Sequence, residues 1–307
     1  MKIIITGGSG SIGRKLAQNL AQQGHEVVIL SRNPAKVTDL PKEARAILWD
    51  AKTAKGWSHE ADGADAIVNL AGSNIAGTGF FPKRWNDEMR KTLMQSRIDA
   101  GRAVVEAVQL AKNKPKVVVQ QSAIGYYGPR GDEIVTEENE PAGDFLARVQ
   151  VATADSTKEV EDYGIRRVIL RHGIFLDPTE GALYRLVLPF KMFVGGPMGS
   201  GRQWYSWIHP ADTAGAVEFL IENENARGPY NLTAPTPERN KDFARKLGKV
   251  MHRPSFMPLP GFVLKILFGE VSTVVLDGQR VEPKRLQEAG YEFKFPTLES
   301  ALKDLLK

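Results

Sequence analysis

The order of apolar and polar positions in the first 170 residues alternates between two periods. Ile3, Ile4 and Ile5 form a short unbroken apolar run, as in a strand buried on both faces. A turn of small residues follows, Thr6-Gly7-Gly8-Ser9-Gly10-Ser11-Ile12-Gly13. The next stretch, RKLAQNLAQQG, places Leu16, Ala17, Leu20 and Ala21 on one face of a helix. The same rhythm predicts a second strand at Val27–Leu30, a third at Ala46–Trp49, a fourth at Ala66–Leu70, a fifth at Val117–Val119 and a sixth at Arg167–Leu170. Helical spacing covers Lys83–Leu110, with Met89, Leu93, Ile98, Val104, Val105 and Val108 apolar, and returns at Phe145–Tyr163. Strands that alternate with helices predict an α/β fold with a doubly wound parallel sheet.

Beyond Gly173 the texture changes. Proline and glycine become denser, and helical spacing resumes at Asp212–Ile221, Asn240–Val250, Phe262–Phe268 and Leu298–Leu306. The expected division is a dinucleotide-binding domain over 1–173 and a smaller mixed C-terminal substrate lobe over 174–307, with 203–225 returning to the first domain. No internal repeat or low-complexity linker separates the two.

Composition narrows the function classes. With 307 residues and 42% hydrophobic content the chain can fill a substantial core. There is no cysteine, which excludes a disulfide framework, a thiolate nucleophile and Cys-ligated zinc. The five histidines are dispersed without HxxxH or HExxH spacing, so no metal site is expected. The net charge of +5 comes from basic residues scattered among 36 acids, which argues for an anionic small molecule rather than nucleic acid. The stretch VLKILFG at 263–269 is too short, and too interrupted by Lys265, to span a bilayer. No signal peptide precedes the first strand, so a soluble, cytoplasmic protein without a membrane partner is expected. The oligomeric state is left open.

The glycine turn carries the first chemistry. Gly7 permits a tight turn, Gly10 admits a pyrophosphate close to the backbone, and Gly13 lets the helix approach the sheet. The pyrophosphate would rest on the free N–H groups at the helix start, at Ser11, Ile12 and Gly13. At the end of the second strand stand Ser31 and Arg32, where a preference for NAD would call for an acid. A hydroxyl beside a guanidinium suits a 2′-phosphate, so the expected cofactor is NADP(H). Asp50 ends the third strand, where an adenine would be met, and Leu70-Ala71-Gly72 ends the fourth with residues small enough to lie against a cofactor. The fifth strand leads to Ser122, Tyr126 and Tyr127, placed at a ligand crevice and taken as tentative catalytic residues. Arg97 is a candidate for a phosphate or carboxylate. His209 and His172 follow apolar runs and are candidates for titration near neutrality. Trp204, Tyr205 and Trp207 offer rings for a sugar or base.

Several segments together carry a resemblance: TGGSGSIG, NLAG at 69–72, KRWNDEMRKTLMQSRIDAGR at 83–102, SAIGYYG at 122–128, LRHGIFL at 170–176, GGPMGSGRQWYSWIHPAD at 195–212 and GQRVEPKRL at 278–286. These resemble the extended short-chain dehydrogenase/reductase superfamily, and within it the nucleoside-diphosphate-sugar epimerase-like branch with its own C-terminal segment. The resemblance implies an NADP(H)-binding Rossmann domain, adds Arg97 and Phe175 to the cofactor-binding residues, and suggests a small-molecule substrate such as a sugar nucleotide. It also implies a Tyr-x-x-x-Lys pair for proton transfer, and here the chain departs from it. The residues four places after the seven tyrosines are Arg130, Gly131, Arg167, Leu188, His209, Ala234 and Phe295, none of them lysine. On the helix after the fifth strand the pair would fall near Val151 and Asp155. The usual Ser/Thr position falls on Ala123 unless one residue is inserted, which brings in Ser122. The arginine expected four places before His209 is Tyr205, with Arg202 three residues earlier as a substitute, and Arg202, Tyr205 and His209 are the substrate candidates. Two functions follow: an NADP-dependent oxidoreductase or epimerase, or a non-catalytic NADP(H)-binding sensor or interaction protein.

Overall fold

Ile3, Ile4 and Ile5 are fully buried, and they divide between two cores. Ile3 and Ile5 face one layer, Ile4 the other, because successive strand residues point to opposite faces. The computed structural model describes residues 1–37, 40–77 and 81–307. Its central sheet comprises β1 (Lys2–Thr6), β2 (Glu26–Ser31), β3 (Ala44–Leu48), β4 (Ala66–Asn69), β5 (Val117–Ala123), β6 (Arg166–His172) and β7 (Gly228–Leu232). All pairings are parallel, in the order β3-β2-β1-β4-β5-β6-β7. The order reverses at β1, and the crevice above that switch point is where α/β folds bind ligands.

On one face lie α1 (Ser11–Gln22) and α5 (Pro210–Glu222). Leu16, Ala17 and Leu20 of α1 share a core with Ala214, Val217 and Leu220 of α5. The opposite face is covered by α2 (Asp87–Leu110), whose Ala100, Ala103, Val104, Ala107 and Val108 pack on Ile4, Val28, Ile67 and Val118. The Asn86 side chain caps α2 by accepting from the Met89 N–H at 2.8 Å, so the helix starts four residues after the first residue of its periodic pattern. The helical pattern at 145–163 also resolves into two pieces. Asp144 caps α3 (Phe145–Asp155), and Ser156 closes it by donating to the Thr153 carbonyl at 2.7 Å, after which the chain makes a 3₁₀ segment at Lys158–Tyr163.

Two elements have no signal in the periodicity. β7 contains Pro229, which reads as a breaker but is tolerated here because β7 is the sheet edge. α4 (Gly181–Lys191) contains Pro189. α4 joins α6 (Asn240–Met251) and α8 (Leu298–Leu305) around Leu183, Phe190, Tyr205, Trp207, Phe243 and Leu302 as the core of the second lobe. Between α6 and α8 lies α7 (Gly261–Phe268). Within 203–225, the expected return to the first domain, α5 packs on the central sheet. Trp204-Tyr205 pairs with Glu238-Arg239 in the second lobe, while the sheet continues through Leu232.

Candidate active site

The glycine turn between β1 and α1 is shaped by backbone sterics. Gly7 sits at φ +66°, and a Cβ there would lie 2.9 Å from the Leu70 carbonyl carbon, so β4 closes directly on the turn. A Cβ at Gly13 would meet the Gly7 oxygen and the Gly8 Cα at 2.5 Å each. At Gly10 the nearest atom is the Gly7 oxygen at 3.3 Å, which leaves this exposed position open to a ligand. The first N–H groups of α1, at Ser11, Ile12 and Gly13, have no acceptor within the helix, and no acid stands in its first turn. A cradle that any side chain would fill, next to unused donors at a positive helix end, fits a pyrophosphate.

A buried polar chain holds the strand ends together. Thr6 Oγ1 donates to Asn69 Oδ1 at 2.5 Å and accepts the N–H groups of Leu70 and Ala71 at 3.1 and 3.2 Å. Asn69 Nδ2 in turn donates to Gln120 Oε1 at 2.8 Å. Leu70-Ala71-Gly72 is thereby pinned beside Gly7. Arg97 reaches it from α2: a Cβ at Gly72 would lie 3.0–3.2 Å from the Arg97 side chain. Arg97 donates to the Leu93 carbonyl at 2.9 Å and has no carboxylate partner among the described residues. Desolvation pulls its guanidinium down to about 10, so a half-buried positive charge stands uncompensated beside the turn.

Across the turn, Ser11 Oγ donates to Asp177 Oδ2 at 2.6 Å, and Arg14 pairs with Glu180. Burial pushes the Asp177 carboxyl up, but the Ser11 and Thr179 donors outweigh it and hold the group below its usual range. The hydroxyl of Ser11 is thus committed to the segment after β6, which leaves its backbone N–H for a ligand. Phe175 lies just before this segment, half-buried, with its ring 5.7 Å from that of His172. At the end of β2 the Ser31 hydroxyl accepts the Asn33 N–H at 3.2 Å, and Arg32 is exposed. Asp50 is occupied elsewhere, accepting the N–H groups of Lys52 and Thr53 at 2.7 and 2.9 Å in a tight turn.

The candidates at the end of β5 separate in space. Tyr127 is fully buried, donating to Asn231 Oδ1 at 2.6 Å and accepting from Arg171 Nη1 at 2.8 Å. Burial pushes its phenol up to about 12, against the lowering effect of Arg171. Its hydroxyl is committed to the core, with a partner on either side, rather than open to a crevice. Tyr126 is half-buried, with its ring 3.7 Å from the Arg171 guanidinium carbon and no hydrogen bond to its phenol among the described residues. Ser122 is buried and donates to Gln150 Oε1 at 3.3 Å. The residue of α3 that faces Ser122 is therefore Gln150, with Ala154 one turn on, in place of the expected Val151 and Asp155. Neither residue can transfer a proton.

Two of the substrate candidates are likewise packed into the protein. Tyr205 is buried in the second-lobe core, 5.6 Å from the Phe243 ring, and donates to the Val275 carbonyl at 3.1 Å. Burial holds its phenol well above the usual range. His209 caps α5 by accepting the Ala211 N–H on Nδ1 at 3.0 Å, and its ring stacks on Phe295 at 3.8 Å. Its Nε2 lies 3.4 Å from Asp304 without forming a hydrogen bond. Burial lowers its pKa to about 4, and that of His172 likewise, so both are neutral near pH 7. Arg202 is exposed, and its carbonyl accepts from Arg239. Beside it the Arg239 and Arg280 guanidiniums lie 4.3 and 5.1 Å from the Trp204 ring, whose Nε1 donates to Asp132 at 2.9 Å. No metal site was expected, yet His25, Glu218 and Glu222 bring possible ligand atoms within 4.8 Å of one another, a grouping that spacing along the chain does not reveal. The 3.2 Å contact of His25 Nε2 with Glu218 is that of an ordinary histidine–carboxylate pair.

Residues 3–233 match the model of the NAD dependent epimerase/dehydratase family. The chain belongs to that family. The family model's span ends one residue after β7, and residues 259–305 match a separate domain of unknown function, DUF1731. Epimerase family protein SA0724 of Staphylococcus aureus (strain N315) is 39% identical over 306 residues, 99% of this chain and 98% of that protein. Human epimerase family protein SDR39U1 (isoform 2), whose crystal structure was solved with NADPH, superposes with a TM-score of 0.88 at 31% identity over 99% of both chains. A nucleoside-diphosphate sugar epimerase from Corynebacterium glutamicum gives 0.77 at 29% identity, over 99% of this chain and 58% of that one. As an NAD(P)-dependent epimerase-like protein, the chain pairs a Rossmann-type sheet with extra small sheets toward its C-terminus. Among the described residues no helix is long and apolar enough to cross a membrane.

Proposed function

We propose that this epimerase family protein binds NADP(H) and acts as an oxidoreductase or epimerase on a small anionic or sugar-like substrate, a nucleoside-diphosphate sugar being the class favoured. The observation that carries the cofactor reading is a pair of arginines along the dinucleotide track, neither with a carboxylate partner among the described residues: Arg32, exposed at the end of β2, and Arg97, desolvated over Gly72. A cation without a local partner is stabilised when a phosphate supplies one. The human relative solved with NADPH supports the same choice.

When bound, the nicotinamide exchanges a hydride with substrate. The chain's own contribution is positioning. Thr6, Asn69 and Gln120 fix the strand ends, the α1 N–H groups take the pyrophosphate, and Arg97 neutralises charge at Gly72. Tyr126 is the phenol of the GYYG turn free to give a proton, and Ser122 with Gln150 offers hydrogen bonds in place of the usual acid pair. Arg202, next to Trp204, is the proposed contact for a substrate anion.

The second reading, a non-catalytic NADP(H)-binding protein, is favoured by Gln150 and Ala154, which leave the face of α3 toward Ser122 without a proton-transfer group. Fluorescence titration with NADPH and NADH, followed by incubation with nucleoside-diphosphate sugars and small carbonyl compounds, tests both. Arg32→Ala is expected to weaken NADPH binding by about 1–3 kcal/mol and leave NADH nearly unchanged. Equal losses for the two cofactors would remove the 2′-phosphate assignment. Tight cofactor binding without turnover of any substrate would favour the second reading.

A further inference from the structure

The second lobe exposes large apolar side chains that its own core does not use. After α4 the chain presents Met192 and Phe193, 71% and 56% exposed. Phe256 and Met257 follow α6, and on α7 Phe262, Ile266 and Leu267 face outward while Leu264 anchors the helix. These stretches form one surface. The Met257 N–H donates to the Gly195 carbonyl at 3.1 Å, Leu259 donates to Pro197 at 2.9 Å, and Gly199 donates back to Leu259 at 2.9 Å. Gly196 has no room for a Cβ against the Met257 backbone, so the two loops lie in direct contact. Apolar patches of this kind on soluble proteins mark an interaction site.

Backbone strain points the same way. Phe193 has φ +63°, a left-handed conformation that bulky residues rarely adopt, and it displays its ring to solvent under the Arg253 guanidinium at 4.4 Å. Charge then selects the occupant. From Gly181 to Ala211, and again from Phe243 to Gly269, the chain contains no aspartate or glutamate, and every formally charged residue is lysine or arginine. Lys191 and Lys265 stand exposed within the apolar surface itself. A second copy of the chain, docked through the same face, would set these positive charges against one another. An anionic lipid surface satisfies the apolar and the cationic parts together.

We propose that this surface docks the protein peripherally on anionic phospholipid bilayers. Phe193, Phe256, Phe262 and Ile266 enter the boundary between headgroups and acyl chains, and Lys191 and Lys265 lie at the level of the lipid phosphates. The expectation of no membrane partner rested on the length of VLKILFG, which rules out spanning but not lying in the interface.

Cosedimentation of the full-length protein with phosphatidylcholine vesicles, and with vesicles that also contain phosphatidylglycerol, tests this. Binding is expected to the mixed vesicles only and to weaken with salt. The Phe262→Ser/Ile266→Ser and Lys191→Glu/Lys265→Glu variants are each expected to lose roughly tenfold or more in vesicle affinity. Their thermal unfolding and NADPH binding should stay at wild-type level, which separates loss of docking from loss of fold. Absence of binding to both vesicle types, or equal binding by wild type and variants, would overturn the proposal. So would a dimer in sedimentation velocity that Phe262→Ser/Ile266→Ser dissolves while vesicle binding is absent, since the surface would then be a self-interface.

Discussion

Tyr127 and Tyr126 are adjacent in sequence and opposite in role. The Tyr127 hydroxyl joins Asn231, 104 residues away, to Arg171, a buried cation with no carboxylate at hydrogen-bonding distance among the described residues. Removing it leaves one buried donor and one buried acceptor unmatched. Tyr127→Phe is therefore expected to cost about 1–3 kcal/mol in urea unfolding while keeping NADPH affinity. Tyr126→Phe should unfold like wild type and lower turnover. Wild-type stability in Tyr127→Phe would show that the hydroxyl is not a structural group. The sequence marks both tyrosines as chemistry-bearing, but which one is consumed by the core depends on residues from β6 and β7.

At the scale of the element, the β1-turn-α1 unit was legible in detail because its constraints are local. Gly10 and Gly13 act through backbone atoms within a few residues, and Gly7 through the backbone of Leu70 and Ala71. The three positions are not equivalent, and two substitutions separate them. Gly13→Ala drives a methyl into the Gly7 and Gly8 backbone, so α1 must shift. It is expected to cost about 1–3 kcal/mol of stability together with NADPH binding. Gly10→Ala meets little protein and should leave the melting temperature within a degree or so of wild type, yet lose NADPH binding because its methyl occupies the ligand's side. Parallel thermal melts and fluorescence titrations distinguish the two. The elements that went unseen, β7 and α4, each contain a proline whose tolerance depends on tertiary position.

The whole molecule carries a pH dependence that its separate sites do not suggest. His172 and His209 are neutral in the fold with pKa values near 4, while an unfolded histidine titrates near 6.5. Between those values the unfolded chain binds more protons, so stability is complete above pH 6.5 and falls as the pH drops toward 4. Each histidine contributes on the order of 3 kcal/mol to that loss. Glu60, lowered to about 2 by the Arg45 and Lys2 contacts against burial, adds its own loss only below about pH 4.5. Melting temperatures from pH 7 to 4 should decline, and His209→Asn, which keeps a capping oxygen for Ala211, should flatten that decline. An unchanged slope in His209→Asn would show that this imidazole titrates in the fold as it does in the unfolded chain.

The sequence by itself determined the strand-turn-helix rhythm, the glycine cradle, the arginine at the end of β2 and the absence of a Tyr-Lys pair. These follow from periodicity and from backbone geometry over a few residues. Only the tertiary structure decided which polar side chains remain free. Tyr127, Tyr205 and Ser11 spend their side-chain polar atoms on distant protein partners, while Arg97 stays uncompensated. The reason is physical: a polar side chain is available to a ligand only if the packing leaves it unpaired. Its partners here come from strands and helices far along the chain, which no local pattern records.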